Sequence, residues 1–162
     1  MITSLAIKNY ALIEDIRVDL NEGLTIITGE TGAGKSIILG ALALILGKRA
    51  DLSSVKDPLK KCIIEGHFTI KNYKLQHIFH ENDLDYEPNT IIRREILPGG
   101  KSRAFVNDTP VALTQLQALA PYLVDVHSQH ETLEIVSETF QMEMIDALAE
   151  NAELLNKYKA QF

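Results

Sequence analysis

The octet Gly29-Glu30-Thr31-Gly32-Ala33-Gly34-Lys35-Ser36 satisfies the pattern G-x-x-x-x-G-K-[ST] at every position. Each residue type in it has a physical task. Gly29, Gly32 and Gly34 let the backbone curl without Cβ clashes, so that successive N–H groups point inward at an anion. Lys35 supplies a cation that reaches β- and γ-phosphates, and the Ser36 hydroxyl suits Mg²⁺. From Ile37 onward the chain turns into an apolar run, whose first-turn N–H groups and positive dipole end add to the same site. The chemistry these residues predict is the binding of a nucleoside triphosphate with Mg²⁺.

Two elements must hold that loop. Leu24-Thr-Ile-Ile-Thr28 is short, apolar and β-branched and predicts a strand; Ile37 to Leu46 predicts a helix that opens near Gly34 and stops at Gly47. Upstream, Leu5 and Ile7 alternate with polar or small residues, as do Ile16, Val18 and Leu20, which predicts a hairpin over residues 2 to 20. A hairpin beside a strand–loop–helix unit implies a mixed, partly antiparallel sheet. Downstream, Lys61 to Lys71 reads as a strand with Cys62, Ile64, Phe68 and Ile70 on one face and Glu65, His67 and Thr69 on the other. Residues 73 to 82 predict a short helix bearing Leu75, Ile78 and Phe79. Thr90 to Leu97 and Ser102 to Val106 predict strands joined at Pro98-Gly99-Gly100, and Asn107-Asp-Thr-Pro110 a further turn. Leu113 to Leu119 predicts a helix closed by Pro121, Tyr122 to Val126 a buried strand, and Ser137 the cap of a last helix running to the chain end.

Bulk properties narrow the class. A chain of 162 residues with 46% hydrophobic and 23% charged residues has the make-up of one soluble globular domain. One cysteine, Cys62, excludes an internal disulfide framework, and its place in a strand pattern predicts a buried thiol. No basic segment followed by an apolar core opens the chain, and Ile37 to Leu46 is about half of a membrane span, so the expected location is cytoplasmic, with no membrane partner. A net charge of −6 argues against wholesale electrostatic attachment to nucleic acid, leaving only local clusters such as Lys48-Arg49, Lys60-Lys61, Arg93-Arg94 and Lys101 with Arg103. His127 and His130 stand three apart without a cysteine nearby, a weak zinc signal. Asp125, ending the expected strand from Tyr122, is open to a second reading: the Mg²⁺-holding carboxylate of a compact P-loop phosphotransferase.

Four stretches together carry a family resemblance: Lys8-Asn9-Tyr10-Ala-Leu-Ile-Glu14, Gly23 to Ser36, Leu46-Gly-Lys-Arg-Ala-Asp51 and Val124-Asp-Val-His-Ser-Gln-His-Glu131. In register and order over residues 1 to about 135 they resemble the RecN family of bacterial DNA repair proteins, within the structural-maintenance-of-chromosomes (SMC) branch of ABC-type ATPases. The resemblance implies an α/β P-loop NTPase lobe: residues 1–136 as the N-terminal lobe of an ATPase head, and 137–162 as a helix entering a coiled coil. ATP and Mg²⁺ are the implied ligands, with Gln129 as the Q-loop glutamine on the metal beside Ser36, and with Lys8 and Asn9 close to the nucleotide. The implied partners are a C-terminal lobe of the same protein, a second head, and DNA. In such heads ATP lies between one phosphate loop and the partner's signature motif, and a glutamate activates water. This sequence contains no Leu-Ser-Gly-Gly signature, no terminal Asp-Glu strand and no switch histidine, so no complete catalytic set is present. The expectation is a lobe that binds ATP and hydrolyses little or none.

Overall fold

The computed structural model describes residues 1–29, 34–126, 138–149, 151–159 and 161. Met1–Asp125 and Val126–Phe162 form two compact units. In the first, β1 (Ile2–Tyr10) and β2 (Ile13–Asp19) make the expected hairpin, with Ile7 opposite Ile16 and Leu5 opposite Val18. β3 (Cys62–Thr69), β4 (Asn89–Ile96), β5 (Ser102–Val106) and β6 (Thr109–Val111) complete a six-stranded sheet in the order β2-β1-β3-β4-β5-β6. Every pairing in it is antiparallel, so the α/β lobe holds the antiparallel part of the expected sheet. β6 falls where a turn was expected. Pro110 brings no N–H to a ladder, but it sits opposite Phe105 on the sheet edge, where an outward donor has no neighbour to serve.

The two-residue strand period sorts the faces. Leu5 and Ile7, Cys62, Ile64 and Phe68, Ile92 and Ile96, Ala104 and Val106 are all buried. Three helices share a core with that face: α1 (Lys35–Ile45) through Ala41, Leu44 and Ile45, α2 (Gln76–Glu81) through Ile78 and Phe79, and α3 (Leu113–Leu123) through Leu116, Leu119 and Leu123. Where α1 meets β3 the space is minimal: a Cβ on Gly66 would stand 2.5 Å from Ile45 Cδ1. α1 ends as expected at Gly47, whose φ of 95° suits a residue without a Cβ. The Gly47 carbonyl accepts from Gln117 Nε2 at 3.0 Å, which ties the end of α1 to α3.

Cys62 lies fully buried, and burial pushes its thiol up to about 11 from the ordinary 9.0. A folded-state value above the unfolded one means stability that is intact below pH 9 and lost as pH rises toward 11. The native chain should therefore resist a thiol-specific reagent at pH 8 and react only as fast as it unfolds, which labelling with and without denaturant would read.

Three expectations need correction. Leu24 to Thr28 forms no strand; Leu24 and Ile26 are 88% and 74% exposed. A strand is completed by a neighbour, and among the described residues nothing pairs with this segment. Tyr122 to Val126 is not a strand either: Tyr122 and Leu123 finish α3, which runs through Pro121 instead of stopping before it. Proline lacks the N–H that would bond the Gln117 carbonyl, but Leu119 and Leu123, one turn apart and both buried, keep the helical stripe going. In the second unit the expected single helix is two, α4 (Glu138–Leu148) and α5 (Ala152–Lys159), while Ser137 lies outside the described residues. The Asn151 N–H reaches the Asp146 carbonyl at 3.0 Å, and its own carbonyl accepts from Leu155 at 2.9 Å, so Asn151 closes one helix and caps the next. No helix among the described residues is long and apolar enough to cross a membrane.

Candidate functional site

The start of α1 brings together the described residues of the motif from which phosphate binding is expected. Lys35, its first residue, is exposed, and Nζ donates back to the Gly29 carbonyl, bridging the two ends of the motif. Between them, Glu30, Thr31, Gly32 and Ala33 lie outside the described residues. Gly34 occupies the cap position and has no side chain to cap with, and the first turn holds no acid. The Gly34 carbonyl accepts from Ile37 N at 3.1 Å and Ile38 N at 3.0 Å, while both isoleucine side chains pack against the core and fix the direction of the turn. Ser36 is exposed beside them. An uncapped helix start, its positive dipole end, an ammonium and a hydroxyl, with no carboxylate in the turn, form a donor set that fits a polyphosphate with its cation.

Lys8 and Asn9 sit at the far end of β1. Lys8 alternates with Ile7, so it stands on the sheet face away from α1, where it pairs with Asp15 at 3.2 Å; both side chains are exposed. Asn9 adopts φ 55°, which its short amide tolerates. Its Nδ2 donates to the carbonyls of Asp57 at 2.9 Å and Lys60 at 3.0 Å, and its Oδ1 accepts from Asp57 N at 2.8 Å. Three of the four bonds an amide can make thus fasten the 57–60 turn to β1. Asn9→Ala should cost about 1–3 kcal/mol, because backbone groups lose partners and alanine dislikes this φ. Thermal unfolding checks the loss, and faster hydrogen exchange at the Asp57 amide checks its location.

Gln129, the expected second Mg²⁺ ligand, and His127 and His130 lie outside the described residues. Asp125 is exposed and follows the end of α3 rather than a strand, so the compact phosphotransferase reading loses the strand end it requires. Among the described residues no group of three or more His, Cys, Asp or Glu could hold a metal.

The basic clusters separate. On the open face of the sheet, Lys61 meets Glu95 at 3.2 Å, and Arg93 meets Asp108 at 3.1 Å and Glu65 at 3.7 Å while lying 4.7 Å above the Phe105 ring. Lys60 meets Asp57 at 3.6 Å. Arg94, adjacent in sequence to Arg93, is on the opposite face and only 2% exposed. The sequence held the signal for this: Arg94 shares its strand parity with Ile92 and Ile96, which outranks its adjacency to Arg93.

A family model described as an AAA domain matches residues 4–161. The DNA repair protein RecN of Vibrio cholerae is 39% identical over 156 residues, covering 96% of this chain and 28% of that protein. RecN of Haemophilus influenzae is 36% identical over 166 residues, covering 100% of this chain and 30% of the relative, and RecN of Bacillus subtilis is 34% identical over 151 residues, covering 92% and 26%. The chain thus spans less than a third of the length of these curated relatives. Among solved structures, the Smc head domain with a coiled coil and joint from Pyrococcus yayanosii superposes with a TM-score of 0.64 at 19% identity, covering 96% of this chain and 33% of that one. A chain from work on ATP-driven dimerization and DNA-stimulated activation of SMC ATPases gives 0.60 at 18% identity, covering 91% and 98%. At these identities the likeness is one of fold.

Proposed function

The chain belongs to the AAA domain family, and from that premise we propose that it is the ATP-binding lobe of an SMC-like ATPase head that serves DNA double-strand break repair. The observation that carries the reading is the start of α1, without a side-chain cap or an acid, with Lys35 drawn back over Gly29. Similarity to RecN proteins along nearly the whole chain supports the repair setting. In this reading the backbone of residues 29–34 cradles the phosphates and Lys35 neutralises them. Ser36 and Gln129 hold Mg²⁺, whose part is to offset phosphate charge. The family resemblance assigns Lys8 and Asn9 to the nucleotide's surroundings, while the Lys8 ammonium faces Asp15 and three bonds of the Asn9 amide go to the 57–60 turn.

In this reading the lobe binds nucleotide, and hydrolysis belongs to its assembly with partners: a C-terminal lobe, a second head and, for the whole protein, DNA. Calorimetry with ATP and Mg²⁺ should give a saturable heat, while phosphate release stays at background. Turnover that depends on Lys35 and disappears in Asp125→Asn would instead establish a self-contained phosphotransferase. Absence of any nucleotide heat would remove the reading altogether.

A further inference from the structure

A cavity of about 530 Å³ opens where β4, β5 and β6 meet the start of α3, lined by Arg94, Ser102, Arg103, Phe105, Val111 and Leu113 among others. Among the described residues no carboxylate lines it. Its most unusual wall is Arg94. The guanidinium stands on the apolar face, with Ile92 and Ile96 two residues away along β4 and with Ile64 and Ala104 as cross-strand neighbours. Nη2 donates to Ser102 Oγ at 3.3 Å, and buried Nε has no partner. Arginine carries five donors and cannot shed its charge, so holding it here with one neutral hydroxyl as acceptor is costly. Burial pulls its pKa down, in the direction expected of a cation lacking an anion. The start of α3 borders the same cavity through Ala112 and Leu113; the Ala112 N–H is taken by Gln115 Oε1 at 2.7 Å, while Ala112 offers the first-turn N–H groups only a methyl, and that turn contains no acid.

We propose that this cavity is a second oxyanion site, distinct from residues 29–36, which takes the phosphate group of a small phosphorylated molecule or free phosphate. The Arg94 guanidinium, the Ser102 hydroxyl and the helix start offer one oxyanion donors of three kinds. The apolar wall of Ala104, Val111 and Leu113 leaves room for an organic remainder. The two sites stand at opposite ends of α1. A Cβ on Gly47, just past that helix, would lie 3.2 Å from the carbonyl of Leu113. The motif sits about 16 Å away, at 1.5 Å per helical residue.

The test is a titration of inorganic phosphate into the chain, at constant ionic strength held with chloride, followed by ¹H–¹⁵N NMR. Saturable shifts at Ala104, Val111, Leu113 and the Arg94 Nε–H, retained in Lys35→Ala, are the expected result. Arg94→Met should weaken that binding about tenfold or more, since it removes the charged donor fork. Arg94→Lys and Ser102→Ala, which keep the charge or the volume, should each weaken it as well, and they stand in should Arg94→Met fail to fold. Acetate should shift the same amides more weakly. Phenyl phosphate binding tighter than phosphate identifies an organic phosphate as the occupant, and equal affinity identifies free phosphate. Shifts confined to residues 34–36 and abolished by Lys35→Ala would overturn the proposal, as would unchanged affinity in Arg94→Lys and Ser102→Ala.

Discussion

Lys35→Ala should weaken ATP binding by about one to two orders of magnitude while leaving the fold intact. The magnitude follows from the loss of a charge-assisted bond to phosphate, about 1.5–3 kcal/mol. The fold is spared because the Lys35 side chain is exposed, and its visible bond, to the Gly29 carbonyl, lies at the surface. Removing such a bond shifts stability by less than about 0.5 kcal/mol. Calorimetry with ATP and Mg²⁺ reads the affinity, and thermal unfolding without nucleotide is the control. Lys35→Arg sharpens the comparison. It preserves the charge but replaces a compact ammonium on a flexible stem by a broad planar fork, so it should recover only part of the affinity. Full recovery would mean that the loop needs charge alone.

The motif stands out in the sequence because its residues are local: glycine spacing, a lysine and a hydroxyl fall within eight residues. The strands β1 and β3 to β5 were legible because apolar alternation survives translation into burial, from Leu5 and Ile7 to Ala104 and Val106; β2 shows the alternation in sequence, but Ile16 stays 40% exposed. Leu24 to Thr28 and Tyr122 to Val126 have equally good strand composition and form none. Composition reports what a segment tolerates, whereas a strand requires a second backbone to accept its hydrogen bonds. In the second case the buried leucines of α3 decided the matter, carrying the helix past Pro121. β6 was hidden behind its proline for the opposite reason, since an edge forgives a missing donor. Arg94 shows how residue type can mislead: read as half of a basic surface pair, it belongs by strand parity to the core.

How firmly the loop is aimed depends on the contact between α1 and β3. Ile45→Ala should cost about 2–5 kcal/mol, because the side chain is fully buried and its neighbours are held in a sheet that cannot collapse into the void. The reason lies in Gly66. Ile45 Cδ1 occupies the space a Cβ on Gly66 would need, at 2.5 Å, and Phe68 Cε2 closes the other side at 3.0 Å. Gly66→Ala alone should therefore overpack the contact and cost about 1–3 kcal/mol. Ile45→Val alone, which removes Cδ1, should cost about 0.5–1.5 kcal/mol. Joined in one chain, the added methyl moves into the space the other substitution vacates, so the double variant should lose less than the sum, with a coupling of about 0.5–3 kcal/mol. Denaturant unfolding of the four chains measures that coupling, and strict additivity would refute a direct contact. The same four chains connect packing to the proposed ligand: α1 carries Lys35 and Ser36 at one end and Ile45 at the other, so a helix lifted by Gly66→Ala carries Lys35 and Ser36 with it. Loss of ATP affinity in Gly66→Ala, restored in the double variant, would show that the glycine in β3 sets the position of the loop through the body of the helix.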